Sequence, residues 1–501
     1  MNGKNSTGLL YQQYQQELKR IADVKYAAAV LQWDQETYLP IKGADFRGRQ
    51  LATLSEIAHQ MFVDDKVGVL LQELLSKELT AGQKRNVALT WEDYTRLKKL
   101  SPDFVRKMSE AISASFHAWV AARRENNFTV FAPFLAPLVD LKRQEAELLG
   151  YEAHPYNALM NEYEKGATVA AIDKIFADVT LPLQSLLAEV QQENEVDDSF
   201  LQQHFPKQQQ WEWGMYLAKR LGFDFEAGRQ DISEHPFTTN FSSQDVRITT
   251  RIDENDFANM TFSTIHEVGH ALYEQGLPAV QYGLPLGEYA SLGVHESQSR
   301  LWENCVGRGK AFWKYYYKEL QSFFPAQFEK VTTDQFVRAI NKVQPSLIRT
   351  EADELTYHFH VMVRYELEKS LIKGSLQVRD IPGYWNDQYK SLLGVSVPDD
   401  KQGCLQDVHW SHGSFGYFAT YSLGSFYAAQ LWQQAKSEVP ALESEIAQNG
   451  STAALLGWLR KKVHAHGRYY SSDDLCMQIT GKKLDSTVFV GYLREKLNEI
   501  K

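Results

Sequence analysis

The sequence predicts an all-α fold, predominantly helical with a small β ribbon, in which a single helical domain divides into two lobes. Apolar residues recur at helical spacing along most of the chain, between recognisable caps. The 15 prolines and 30 glycines gather in a few places, instead of marking the frequent turns of an all-β chain. The chain has 501 residues, and single cores stop growing at about 250–300. The expected lobes are 1–230 and 231–501.

Individual elements follow from local chemistry. Ser101-Pro102-Asp103 reads as a helix start, a capping hydroxyl followed by proline at the first helical position. Thr332 and Gln335 have the spacing of a capping box ahead of "FVRAINKV". Ser472-Asp473-Asp474 opens a further helix, and Gly481 reads as its stop. The best strand signal is "DVRITTRI", Asp245 to Ile252, following "HPFTTNF". Its β-branched residues alternate with Arg and Thr, which predicts an edge ribbon with one wet face. Such a strand beside a catalytic helix can align an extended peptide; a short structural hairpin is the plainer alternative. No internal repeat of 20–50 residues is expected.

Composition excludes some functions. Hydrophobic residues make up 44% and charged residues 23% of the chain, which suits a packed globular protein. A net charge of −10 argues against a nucleic-acid surface and against a polybasic membrane anchor. The three cysteines, Cys305, Cys404 and Cys476, show no CxxC spacing and predict reduced thiols. The first thirty residues lack an apolar signal region, and no run of eighteen apolar residues occurs. The expectation is a soluble, cytoplasmic protein.

The chemistry centres on "FSTIHEVGHALYE", Phe262 to Glu274. HExxH sets His266 and His270 at i and i+4, on one helical face, so both imidazoles reach a common ion. Glu267, about 100° around the helix, falls beside the ion, where a base for a coordinated water belongs. Two buried imidazoles and a carboxylate are costly unless something compensates them, and a metal does so. The plainer alternative is a helix with two hydrogen-bonded histidines. Thr264 or Ser263 suits a position near the helix start and Gly276 its stop.

A catalytic zinc takes three protein ligands and keeps one open position. Glu296 in "HESQSRLWEN" is the third candidate, 26 positions after His270; a cap or a surface ion pair is its alternative. His295 competes, but adjacent residues point apart on a helix, so His295 is assigned to support or substrate contact. Arg349 is a candidate for bidentate binding of a carboxylate, against an i,i+4 pair with Asp353. His409, Tyr417 and Tyr421 are candidate donors to a developing oxyanion, against core packing. His464 and His466, two apart, do not share a helical face, so ligand roles for them are rejected.

These residues resemble the carboxypeptidase Taq (thermostable carboxypeptidase 1) family of metallocarboxypeptidases, and the resemblance spans nearly the whole chain. "LQWDQETYLPIKGADFRGRQLATLS" and "HPYNALMNEYEKG" are similar to its N-terminal and middle signatures. "HPF" at His235, "DVRIT" at Asp245, "HEVGH" at His266, "HESQ" at His295, "IRTEAD" at Ile348 and "GCLQDVHW" at Gly403 follow in its order. Six ordered blocks are far more specific than HExxH alone. "GYFATYSLG" departs in one place, with Ala419 where the family is expected to have proline.

The resemblance implies a two-lobed helical molecule with a deep central groove, one zinc or cobalt ion per chain and a homodimer. It implies removal of single residues from peptides with a free C-terminus, with broad side-chain tolerance. His266, His270 and Glu296 become the metal ligands, Glu267 the general base and Arg349 the carboxylate clamp. His409, Tyr417 and Tyr421 are carried over by similarity to helical dipeptidyl carboxypeptidases, and Asp245 and Arg247 as groups that shape the groove. His235 and His295 are carried as substrate-binding candidates. The rivals are a dipeptidyl carboxypeptidase or oligoendopeptidase with the same kind of groove, and a non-catalytic helical module holding a structural metal.

Overall fold

A computed structural model of the chain describes residues 2–192 and 195–501. It is overwhelmingly helical, from the 36-residue helix Asn2–Thr37 to the closing helix Thr487–Ile500, with one three-stranded sheet among the described residues. No described helix is long and apolar enough to cross a membrane. The chain forms two compact units that interleave in sequence, whereas a single cut near residue 230 was expected. One unit contains Met1–Lys98, Asp197–Ile340 and Leu431–Lys483; the other contains Lys99–Val196, Asn341–Gln430 and Leu484–Lys501.

In the first unit, the helix Phe257–Glu274 carries HExxH and is buried on almost every side. It begins six or seven residues before the expected Ser263 or Thr264, because Asp256 is the cap. The Asp256 carboxylate accepts from the amides of Ala258 and Asn259 at 2.9 and 3.1 Å, filling two orphan donors of the first turn. Phe257 enters a nest formed by Phe205, Phe324, Phe328 and Phe336, with ring centroids 5.2–6.1 Å away. Burying one such ring is worth about 1.5–3 kcal/mol, so the start of this helix is pinned by packing as well as by its cap. The capping box is reciprocal: the Thr332 amide donates to Gln335 Oε1 at 2.9 Å, and the Gln335 amide to Thr332 Oγ1 at 3.2 Å.

The sheet comprises β1 (Gly228–Ile232), β2 (Thr238–Ser242) and β3 (Asp245–Thr250), in the order β1-β3-β2. β2 and β3 form the expected hairpin, antiparallel, but β3 is the central strand and pairs with β1 in parallel. The edge position expected for Asp245–Ile252 is therefore corrected; the wet face holds at Asp245 and Arg247, half-exposed between buried neighbours, and fails at Thr249 and Thr250, which are buried. Thr249 is buried, accepting from the Phe237 amide at 2.9 Å. The Arg247 guanidinium lies 4.3 Å from the Trp33 ring centroid and 4.8 Å from that of Phe241. Period-2 alternation reports which side chains are polar; it does not report which of them are later covered.

In the second unit, the Ser101 hydroxyl accepts from the Phe104 amide at 3.2 Å ahead of Pro102 at the first helical position. The helix Pro102–Glu125 ends at Asn126, which is left-handed at φ 52°, and packs against Phe128–Leu149. The helix Tyr357–Lys373 is buried along nearly its whole length. Ala419 opens the helix Ala419–Glu438. Proline suits that first position because its missing N–H is not needed there and its φ is pre-set; alanine, a strong helix former, opens the helix without either. In the first unit, Ser472–Thr480 is capped one residue earlier than expected, by Ser471, and stops at Gly481 with φ +75°.

Candidate metal centre

His266 and His270 lie one turn apart with ring centroids 4.8 Å from each other. The next helix, Leu292–Arg300, is capped by Ser291, whose hydroxyl accepts from the Val294 amide, and it delivers Glu296 to the pair. Glu296 Oε2 is 3.8 Å from His266 Nε2 and 3.5 Å from His270 Nε2. The two helices approach closely because residue 269 is glycine. A Cβ there would meet Ser299 Cα at 2.7 Å and the Gln298 carbonyl oxygen at 2.9 Å.

Among the described residues, one group of side chains has metal-binding geometry, His266, His270 and Glu296, with donor atoms all within 4.8 Å of one another. Two imidazole nitrogens and one carboxylate oxygen suit a first-row divalent ion. His266 Nδ1 meets Glu303 Oε2 at 2.9 Å, so an outer carboxylate fixes which ring nitrogen faces the centre. Glu296 Oε1 accepts from Arg300 Nε at 2.7 Å. Glu303 comes from the π turn Leu301–Gly307.

The electrostatics fit a site awaiting a cation. Burial opposes ionisation of Glu296, but Arg300, His266 and His270 outweigh it and hold the carboxyl far below the usual range. Glu303 falls to about 2: burial is again overcome, by His266, Arg300 and Arg308. Burial pushes His270 down to about 3, with His295 adding to the effect. For His266, burial is outweighed by Glu296 and Glu303, which raise it. A cation held here would take the place of the proton that Glu296 and Glu303 favour on His266.

Glu267 is buried but outside the ligand group. Its Oε2 accepts from the hydroxyl of Thr238 on β2 at 2.5 Å. Burial raises the Glu267 carboxyl, against the lowering effects of His266 and the Thr238 hydroxyl.

The other expected residues fall into distinct places. His295 stacks on His270, centroids 4.4 Å apart and planes at 23°, and its Nε2 bonds Glu274 Oε1 at 2.8 Å. His235 is exposed in the turn between β1 and β2, where its carbonyl accepts from Ser233 Oγ. Asp245 and Arg247 pair with each other through two bonds of 2.9 and 3.0 Å. His464 is buried against Gln298 Oε1 at 3.1 Å and lies outside the metal group.

Arg349, His409, Tyr417 and Tyr421 come together in the second unit. Arg349 does not pair with Asp353, the i,i+4 alternative. Its Nε and Nη2 donate to Asp407 Oδ1 at 3.0 and 2.9 Å, and its Nη1 donates to the Tyr357 hydroxyl at 3.0 Å. Asp353 instead accepts from the Leu355 and Thr356 amides. The other oxygen of Asp407 receives Arg364 Nε at 2.6 Å. Burial disfavours the Asp407 anion, but Arg364 and Arg349 outweigh it and keep the carboxyl well below its usual range. Tyr421 bonds His409 Nε2 at 3.1 Å and lies under the Arg349 guanidinium at 4.8 Å; Tyr417 packs 5.1 Å from Tyr421.

Sequence reasoning did not single out Thr238, Arg300, Glu303, Arg364 or Asp407. Glu303 had a usable signal, since it follows Glu296 by seven residues, two helical turns, and so falls near the same face. Asp407 is inside the "GCLQDVHW" block, where His409 drew attention first.

A metal held by these three donors would keep a place for water or substrate that closed structural zinc sites do not have. The comparisons narrow the class. The model for the carboxypeptidase Taq (M32) metallopeptidases matches residues 13–497, and the chain belongs to that family. It is 38% identical over 486 residues to carboxypeptidase 1 of Bacillus subtilis (strain 168), covering 96% of this chain and 97% of that protein. The solved M32 carboxypeptidase from Deinococcus radiodurans R1 superposes with a TM-score of 0.96 at 39% identity, covering 98% of this chain and 99% of that one. A structure described as that of CHT superposes at 0.95 with 56% identity, covering 97% and 99%. Family membership makes the chain a metal-dependent carboxypeptidase, acting on peptides with a divalent ion.

Proposed function

We propose that this enzyme removes single residues from the C-termini of peptides, with broad side-chain tolerance. Zinc, or cobalt in its place, is held by His266, His270 and Glu296, and Glu267 is the general base. The observation that carries the reading is the position of Glu267: directly after His266 and three residues before His270, buried, outside the ligand group, and bonded by Thr238 on one oxygen. A structural metal site has no use for such a carboxylate.

When bound, the ion supplies Lewis acidity, polarising the scissile carbonyl and making a water easier to deprotonate. Glu267 takes the proton from the attacking water and returns it to the leaving amine. A carboxyl raised by burial suits both tasks, because it releases the proton as readily as it takes it. Thr238 holds Oε2, which orients the carboxylate. Glu303 keeps His266 presenting Nε2.

Arg349 is the proposed partner of the substrate's terminal carboxylate. A guanidinium has five N–H groups; Asp407 and Tyr357 engage three, and two are left for a ligand. Arg349 and Arg364 face the single carboxylate of Asp407, so the cluster has a surplus positive charge. His409, pushed down to about 3 mainly by burial, adds none at neutral pH. His409, Tyr417 and Tyr421 are the proposed donors to the oxyanion. Assembly as a homodimer in the cytoplasm belongs to the same reading, carried by the family resemblance.

Mass spectrometry of a mixed-sequence peptide tests the reading, with and without chelator and with zinc or cobalt restored. A ladder shortened one residue at a time, stopped by chelator and restored by metal, is expected. Dipeptide steps or internal fragments would overturn the single-residue assignment while keeping the metal centre.

A further inference from the structure

The carboxylate ligand of this centre is itself held by a cation. Arg300 lies one turn after Glu296, half-buried with its side chain 15% exposed. Its Nε donates to Glu296 Oε1 at 2.7 Å, and its Nη1 reaches Glu303 Oε2 at 3.4 Å. That Glu303 oxygen is the one bonded to His266 Nδ1 at 2.9 Å. One guanidinium therefore joins the back of the carboxylate ligand to the back of a histidine ligand's support.

The π turn makes this closure possible. Leu301–Gly307 follows the α-helical Leu292–Arg300 without a break, and a π turn widens the helix by about one residue per turn. Glu303 thereby reaches His266 on the neighbouring helix while staying within range of Arg300. Arg308, on the far side, completes the enclosure: its Nη2 lies 3.4 Å from Glu303 Oε1, and its Nη1 donates to the Ile340 carbonyl.

The chemical consequence lies in which atoms are presented. Glu296 has two equivalent oxygens, and a carboxylate free to rotate offers either or both to an ion. Here Oε1 is bonded to Arg300, and Oε2 is the oxygen near His266 Nε2 and His270 Nε2. In the same way Glu303 holds Nδ1 of His266 and leaves Nε2 to the centre. Removing outer partners of this kind lowers metal affinity by about 10–100-fold in general.

We infer that Arg300 is a positioning residue of the metal centre: by bridging Glu296 Oε1 to Glu303, it makes Glu296 Oε2 and His266 Nε2 available together as donors. The inference rests on His266, His270 and Glu296 being the ligands. The bracket acts as a unit, because Arg300 bonds both carboxylates and neither carboxylate replaces it.

The test is cobalt binding to metal-free protein, read by visible d–d absorption and by competition with a chelator, on the full chain. His270→Ala serves as the control for the ligand set; unchanged cobalt binding in that variant would mean that the ligand assignment, not the bracket, is wrong. Arg300→Met is expected to weaken cobalt binding by about 10–100-fold and to change the d–d spectrum, with far-UV circular dichroism retained. Arg300→Lys is expected to recover part of the affinity, since an ammonium satisfies one carboxylate but lacks the fork that joins two. Glu303→Gln is expected to weaken binding as well, and in the double variant Arg300→Met with Glu303→Gln the losses combine to less than their sum. Wild-type affinity and spectrum in Arg300→Met would overturn the inference. If Arg300→Met fails to fold, Arg300→Lys and Glu303→Gln decide it: both binding cobalt as wild type overturns it, and weakened binding in Glu303→Gln with partial loss in Arg300→Lys upholds it.

Discussion

Thr238 on β2 donates its hydroxyl to Glu267 Oε2 at 2.5 Å and also reaches the Glu267 carbonyl at 3.1 Å. A strand outside the helices that carry His266, His270 and Glu296 thus holds the carboxylate proposed as the base. The Thr238 bond favours the anion, so it lowers the Glu267 carboxyl against the upward push of burial. Thr238→Val removes the bond at nearly constant volume and raises that carboxyl further. A base must be ionised to act, so the acid limb of the kcat/KM profile moves to higher pH. The expected loss in acid solution is roughly tenfold, well short of the 10²–10⁴-fold that general acid–base catalysis supplies. An unshifted acid limb would remove Thr238 from the mechanism.

Glu267→Gln keeps shape and burial but takes away the proton acceptor. Turnover should fall by about 10²–10⁴-fold, with metal content near one ion per chain by elemental analysis. His270→Ala should lose metal and activity together. An active Glu267→Gln enzyme is incompatible with the proposed base.

Arg349→Ala should cost activity far more than metal content. On C-terminally amidated peptides the wild type should already be slow, and the variant should lose little more. Equal wild-type rates on free and amidated peptides would refute the carboxylate clamp.

Asp407 is the single anion between Arg349 and Arg364. Asp407→Asn leaves two guanidinium groups without their counter-charge, a change that costs about 3–5 kcal/mol when such a pair is buried. The folded-state carboxyl is lowered, so its contribution is fully present above the unfolded value of about 3.9. It is lost as pH falls below that value toward the folded one. Urea midpoints of wild type and variant should therefore differ most at neutral pH and converge in strong acid.

Gly269→Ala places a Cβ 2.7 Å from Ser299 Cα and 2.9 Å from the Gln298 carbonyl oxygen. Both are backbone atoms that cannot rotate away, so the helices carrying His270 and Glu296 must separate. The expected destabilisation is about 1–3 kcal/mol by denaturant unfolding, accompanied by faster metal loss to a chelator.

Much of the centre was legible along the chain because its spacing is local. The i,i+4 period alone puts His266 and His270 on one face, with Glu267 off that face. Glu296 followed from the need for a third donor. The bonds of Thr238, Arg300 and Asp407 were not legible in the same way. Thr238 is 29 positions from Glu267, and Asp407 is 58 from Arg349; periodicity has no reach over such distances. Arg300 and Glu303 are close to Glu296 and near its face by helical spacing, but that spacing does not say that the two bond each other or that Glu303 bonds His266 on another helix. The central position of β3 was missed because β1 pairs with it in parallel from outside the hairpin.

The sequence by itself determined the helical class, the shared face of His266 and His270, the helix starts at Ser101 and Thr332, the stop at Gly481, and the family to which the chain belongs. These depend on backbone period and cap chemistry, which act within a few residues. Tertiary structure alone decided how the chain divides into interleaved units, which strand is central, which oxygen of Glu296 faces the histidines, and that Arg349 answers to Asp407 and not to Asp353. Those outcomes depend on which distant groups satisfy a buried charge or hydrogen-bond donor, and burial makes such partners obligatory without any local pattern to announce them.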